Sequence, residues 1–130
     1  MISLQLLKYL EDNNFGTIDK DLLWEKEALG KIGIFIVSNS EQTPRGSLRT
    51  QRFTLYSRGT NDVEGYKRLE AVRDFLSSSS AYNTCTLPAV PPIVNTETEN
   101  VTIMPLSTID NVGRDDNGRL VWSCNGYIYY

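Results

Sequence analysis

Histidine is absent from the 130 residues, which removes the commonest general base at neutral pH and the commonest transition-metal ligand. Ser-His-Asp and Cys-His mechanisms are thereby excluded. Two acid pairs remain, Glu25 with Glu27 and Glu97 with Glu99, each of which would share one face of an extended segment. Alternating acids of this kind ordinarily mark solvated charge. Asp110, Asp115, Asp116 and Asn117 suggest a cation site by composition, but they lack EF-hand spacing and its closing Glu. Asn117-Gly118 marks a two-residue hairpin turn instead. No glycine-rich phosphate fingerprint or Gly-Lys-Ser/Thr sequence is present. Cys85 and Cys124 are isolated, without metal-ligand spacing, and are expected to be free thiols in a reducing compartment. The expectation is a protein that is not an enzyme and uses no metal or cofactor.

Arg45, Arg49, Arg52 and Arg58 form the one concentration of like charge not diluted by acids, interleaved with Phe53 and Tyr56. Arg and Tyr are enriched at protein interfaces, so this segment is the candidate partner surface. The chain as a whole carries thirteen basic and sixteen acidic residues, a formal charge of -3. It lacks the strong positive field that non-specific nucleic-acid binding draws on, and sequence-specific nucleic-acid recognition is not expected. Trp24, Trp122, Tyr127, Tyr129 and Tyr130 read as core or sheet-surface aromatics. Tyr127 and Tyr129 would share an outer face and meet a neighbouring subunit.

The elements that position these residues follow from periodicity. Hydrophobic residues make up 40% and charged residues 22%, ordinary usage for one globular core. A single domain over 1–130 is expected. No stretch approaches the ~20 apolar residues of a membrane span, and the first residues lack a basic leader and a cleavage site. A cytosolic protein is the expectation. Ile2, Leu6, Leu7, Tyr9 and Leu10 share one arc of a helical wheel, with Gln5, Lys8, Glu11 and Asp12 largely elsewhere. Asn13, Asn14 and Gly16 supply its stop. A short strand at 22–26 and a central one at 32–37, covered on both faces, come next. From Ser38 a polar stretch with Pro44 and Gly46 reads as a long exposed loop, and 39–52 is expected to be mobile until it meets a partner.

In 49–58 the residues alternate, with Phe53 and Leu55 facing inward and Thr50, Arg52, Thr54, Tyr56 and Arg58 facing outward. Asn61 caps a second helix, with Glu64 reaching back to complete the cap. Gly65, Leu69, Val72 and Leu76 form its inner face, and Ser77 to Ser80 end it. Thr84 to Leu87 is a further strand, followed by a proline-rich surface connection. Val101 to Ile109 is strand-like, with a bulge or an edge at Pro105. The last segment puts Leu120, Trp122, Cys124, Ile128 and Tyr130 on one face against Ser123, Asn125, Tyr127 and Tyr129. The fold class is α+β, a mostly antiparallel sheet with two helices packed on it, in the order α-β-β-β-α-β-β with an eighth element, a final strand, optional.

This order, together with the strand-turn-helix run RTQRFTLYSRGTNDVEGYKRLEAVRDFL and the closing GRLVWSCNGYIYY, resembles the tail-terminator and minor capsid tail-completion proteins of long-tailed bacteriophages. The resemblance implies a virion component, assembled in the bacterial host cytoplasm, whose copies form a hexameric ring on the finished tail tube. It implies tail tube protein and head connector or neck proteins as further partners. Head-to-tail contacts close into a finite ring when the rotation between copies closes, so each copy needs two complementary surfaces. A head-closure adaptor of the neck, and a small ligand-binding domain or carboxylate-dependent enzyme, are the alternative readings.

Overall fold

The structure is a computed structural model that describes residues 2–24, 31–38, 42–45, 48–77, 83–90 and 97–130. Among these, the chain runs α1 (Ile2–Asp12), β1 (Leu22–Trp24), β2 (Gly33–Ser38), β3 (Gln42–Arg45), β4 (Leu48–Arg58), α2 (Asp62–Leu76), β5 (Asn83–Leu87), β6 (Glu99–Ile103), β7 (Asp110–Arg114) and β8 (Leu120–Tyr129). The strands form one sheet in the order β1-β2-β4-β8-β6-β5, with β3 added to β4 and β7 added to β8. Every pairing between these strands is antiparallel except β1 with β2. The α+β class expected from the sequence is the observed one.

Two strands exceed the expected order. The stretch after Ser38 was expected to be loop throughout, yet 42–45 pairs with the start of β4, Gln42 opposite Thr50 and Arg45 opposite Leu48. Pro44 is tolerated because β3 is an edge strand interrupted by a register shift, where a missing N–H costs no ladder bond. Residues 48–52 are likewise paired strand, so the expected mobile segment 39–52 is in large part sheet. The second addition comes from splitting 101–109. The chain leaves the ladder after Ile103, passes exposed Pro105 and resumes at Asp110. It still follows β8 through Met104 N to Tyr127 O at 3.0 Å and Ser107 N to Asn125 O at 2.9 Å. Pro105 thus sits at a bulge, as its missing donor requires.

Register places the core. β4 pairs with β2 from Gly33 opposite Arg58 to Ser38 opposite Phe53, and with β8 from Thr50 opposite Tyr129 to Ser57 opposite Trp122. Side chains opposite one another share a face. Ile34, Ile36, Phe53, Leu55, Cys124 and Ile128 therefore lie on one side, and all are buried there with Leu6, Leu7 and Leu10 of α1 and Leu69, Val72 and Leu76 of α2. Both helices cover this same face. The expectation that β2 is covered on both faces is corrected: Phe35 and Val37, on its other side, are half-buried.

Local signals explain the helix ends. Asn14, with φ 67°, closes α1 through Asn14 N to Glu11 O at 3.0 Å and Phe15 N to Leu10 O at 3.0 Å, a Schellman pair of bonds. Asn61 Oδ1 accepts the Glu64 amide at 2.9 Å. The Glu64 carboxylate reaches back to the Thr60 hydroxyl, one residue earlier than a standard capping box. Gln5, expected on the outer side of α1, is fully buried instead. Its amide donates to Pro88 O at 3.0 Å and Glu97 O at 3.3 Å, so it ties α1 to both ends of the connection between β5 and β6. A buried amide with such partners avoids the desolvation cost that its type alone predicts.

The first turn of α2 meets the end of β4 backbone to backbone. A Cβ on Gly59 would lie 2.5 Å from Gly65 N, and one on Gly65 would lie 3.0 Å from Gly59 N and 3.3 Å from Trp122 Cδ1. Ser57 Oγ donates to Gly65 O at 2.8 Å in the same contact. Gly59→Ala is expected to cost about 1–3 kcal/mol by overpacking, read as a lower urea midpoint with an unchanged m-value. An unchanged midpoint would show that the helix and strand can separate freely.

Candidate interaction surface

The sheet face opposite the helices carries the residues of interest. It is formed by Phe35 and Val37 of β2, Thr50, Arg52, Thr54, Tyr56 and Arg58 of β4, and Ser123, Asn125, Tyr127 and Tyr129 of β8, by register. No helix covers it among the described residues. Phe35 stacks on Tyr56 with centroids 4.9 Å apart and 14° between planes. Thr54 Oγ1 donates to Asn125 Oδ1 at 2.8 Å. The Arg52 guanidinium lies 5.8 Å from the Tyr127 ring centroid. Arg52 is exposed, and no carboxylate pairs with it among the described residues. Among the described residues its charge rests against a ring face, an arrangement worth about 0.5–1 kcal/mol at an exposed site.

The predicted arginine cluster is divided by the fold. Arg52, Tyr56, Tyr127 and Tyr129 are brought together on the open face. Arg49 extends the β4–β8 ladder by one pair, through Arg49 N to Tyr130 O at 2.8 Å and Tyr130 N to Arg49 O at 3.0 Å. Its position in the alternation places it on the helix-bearing side, with its guanidinium 5.6 Å from the Tyr130 ring. The Arg45 backbone belongs to β3; its side chain lies outside the described residues.

Arg58 departs from the expected solvent-facing position: it is 6% exposed. Its guanidinium sits 4.7 Å from the Phe35 centroid and Nη1 is 3.3 Å from Asp115 Oδ2. Asp115 belongs to the turn between β7 and β8. There Asp115 N donates to Arg119 O and Gly118 N donates to Asp115 O, at 2.9 and 3.0 Å, with Gly118 at φ 76°. This is a three-residue loop of type I turn and glycine bulge, not the two-residue Asn-Gly turn expected. The Asp115 carboxylate selects it by accepting the amides of Asn117 and Arg119, both at 2.9 Å. Phe35 and Asp115 were not singled out by sequence as neighbours of Arg58. Both reach it through long-range pairing, for which no local pattern gives a sign.

The chemical candidates separate in the same way. Glu25 and Glu27 lie outside the described residues, while Glu97, exposed, precedes β6 and Glu99, half-buried, is its first residue, opposite Leu87. No group of three or more metal-ligating side chains occurs among the described residues. A shallow concavity along the first turns of α2 is lined by Asn61, Val63, Glu64, Lys67 and Arg68. Cys124 is buried and Cys85 half-buried, both as free thiols. Burial pushes the Cys124 thiol up to about 12 and raises that of Cys85 as well. The thiolate is the nucleophile, so both are poor ones at neutral pH. Native protein should therefore react with iodoacetamide at Cys85 before Cys124, with Cys124 modified only in denaturant; mass spectrometry of the labelled chain reads this order, and prompt modification of native Cys124 would contradict it.

The amides of Arg119 and Asn117 and the Arg58 guanidinium hold the Asp115 carboxyl below its ordinary range, against the desolvation that opposes them. A carboxyl whose pKa is lower in the folded chain stabilises the fold above its unfolded value and loses that contribution as pH falls through the folded one. Asp115→Asn should thus lower the denaturation midpoint most at neutral pH. The gap from the unmodified protein should narrow below about pH 4. A gap independent of pH would mean that the charge of Asp115 contributes nothing. Comparison with protein-family models and with curated proteins gives no match for this chain.

Proposed function

We propose that the protein is a structural assembly subunit whose open sheet face is a protein interface. The observation that carries this reading is that this face, which no helix among the described residues covers, presents Arg52, an exposed cation without a carboxylate partner among the described residues, beside Tyr127. Buried Arg and Tyr anchors supply most of the energy in many interfaces. A guanidinium resting on a ring is already oriented for a carboxylate, so less side-chain freedom is lost when one arrives.

Within this class, the tail-terminator role is the specific reading. It takes from the strand-turn-helix run and the final strand the idea of a ring that sits on a tail tube, stops its growth and offers a surface to the head. Two features support an assembly role of this kind. The anchoring residues lie on β4 and β8, the most extensively paired strands of the sheet, and a rigid platform limits the entropy lost on docking. The chain also lacks histidine, which narrows the chemistry it could perform.

Arg52→Ala and Tyr127→Ala are expected to weaken self-assembly or tail-tube binding about tenfold or more each, with thermal midpoints close to the parent because Arg52 is exposed and Tyr127 half-buried. Analytical ultracentrifugation and electron microscopy of tubes capped by the protein provide the measurement. Particles lacking the protein should carry tails of uncontrolled length. Normal tail lengths with leaking heads would instead establish head closure, and unimpaired assembly of both variants would remove the open face from the interface.

A further inference from the structure

The sheet has several edges, and they are not alike. An edge strand exposes unpaired N–H and C=O groups, and proteins ordinarily blunt such edges with short strands, prolines, bulges or charge. β1 is three residues long. β3 contains Pro44 and a register shift. β7 contains a register shift, with Gly113 at φ 107° and its amide donated to Asn111 Oδ1 at 2.7 Å. β5, Asn-Thr-Cys-Thr-Leu, has none of these devices. It pairs with β6 in an unbroken register from Asn83 opposite Ile103 to Leu87 opposite Glu99, and it carries no charge, no proline and no glycine. Among the described residues no strand lies on its outer side.

The three central side chains of β5, Thr84, Cys85 and Thr86, also read the same in both directions about Cys85, while Asn83 and Leu87 at its ends differ. If a second β5 runs antiparallel with Cys85 on a two-fold axis, Thr84 faces the partner's Thr86 and Thr86 faces the partner's Thr84. Both threonines are exposed, and Thr–Thr pairs across strands are favourable. No like charges are brought together. Alternation is preserved, so the helix-bearing faces of the two sheets continue into each other. We propose that β5 is a homodimerisation edge, through which two copies of this chain join their sheets about a two-fold axis at Cys85. The contact is isologous and uses neither the open face nor Arg52, so it stands independently of the reading above.

The contact is small, and a dissociation constant on the order of 10–100 µM is expected. Sedimentation equilibrium of the intact chain should show a monomer–dimer equilibrium. Thr84→Lys/Thr86→Lys should weaken it at least tenfold, as should Thr84→Glu/Thr86→Glu, because each places like charges opposite one another. An equimolar mixture of these two variants should recover the dimer, since the same register then pairs Lys with Glu. Recovery in the mixture separates loss of the contact from loss of folding. Arg52→Ala/Tyr127→Ala should leave the dimer intact even where ring or tube binding fails. A chain that stays monomeric throughout, a dimer unaffected by charge on β5, or a dimer lost with Arg52 and Tyr127 would each overturn the proposal.

Discussion

Phe53 lies directly opposite Gly126 in the β4–β8 ladder, and much of the molecule depends on that match. The ring is fully buried, and a Cβ at position 126 would stand 2.5 Å from its Cζ. The glycine leaves the space that the ring fills. Complete burial of such a ring contributes roughly 1.5–3 kcal/mol, and it is available in one register only. A slip by one residue would set Phe53 against Asn125 or Tyr127 and turn every side chain of β4 to the other face. Arg52 would then point into the helices and Leu55 into water. One steric match thus selects which residues become core and which become surface.

The same register explains why the two faces differ in kind. Toward the helices, leucines and isoleucines from both helices and several strands form one cluster. On the opposite face, aromatic rings are held by stacking and by guanidinium groups, and two short polar side chains, Thr54 and Ser123, are 8% exposed each. Thr54 meets Asn125, which satisfies its hydroxyl without a covering layer. The Arg58–Asp115 pair finishes the end of this face. Ion pairs shielded from water seldom add much net stability, because desolvation offsets their attraction. They do specify geometry: this one joins the end of β4 to the β7–β8 turn and places a cation against Phe35.

Sequence was informative wherever the governing interaction is local. The alternation through 50–58 and 120–130 is visible because strand period is two, and the Asn61 cap depends on a residue a turn away; at Gly65 the missing side chain was legible, but its neighbours Gly59 and Trp122 were not. It was uninformative wherever a partner arrives from afar. Gln5 reads as a polar, outward residue until carbonyls of Pro88 and Glu97 come to it across the fold. β3 reads as loop because Pro44 and Gly46 are turn residues, and only the neighbouring start of β4 makes it a strand. Arg58 follows the outward alternation correctly; its burial comes from Phe35 and Asp115, residues on other strands and turns. The candidate surface was legible as a list of residue types, but its division between two faces required the register.

Coverage and pairing are separate requirements on a sheet, and this one leaves each incomplete at a different place. Among the described residues the open face has no covering layer and the β5 edge has no strand on its outer side. A face is completed by side chains of complementary shape and charge, which in general come from a different surface of the next subunit. Contacts of that type are heterologous and build rings when the rotation closes. An edge whose central residues, Thr84 to Thr86, are symmetric about Cys85 can be completed by a second copy of itself, through a two-fold axis. Because β5 is separated from β4 by β6 and β8, the two contacts involve different residues and can form together. A chain that used both contacts would combine a cyclic with a two-fold operation, and where the two-fold axis met the ring axis at a right angle the assembly would close as two rings face to face.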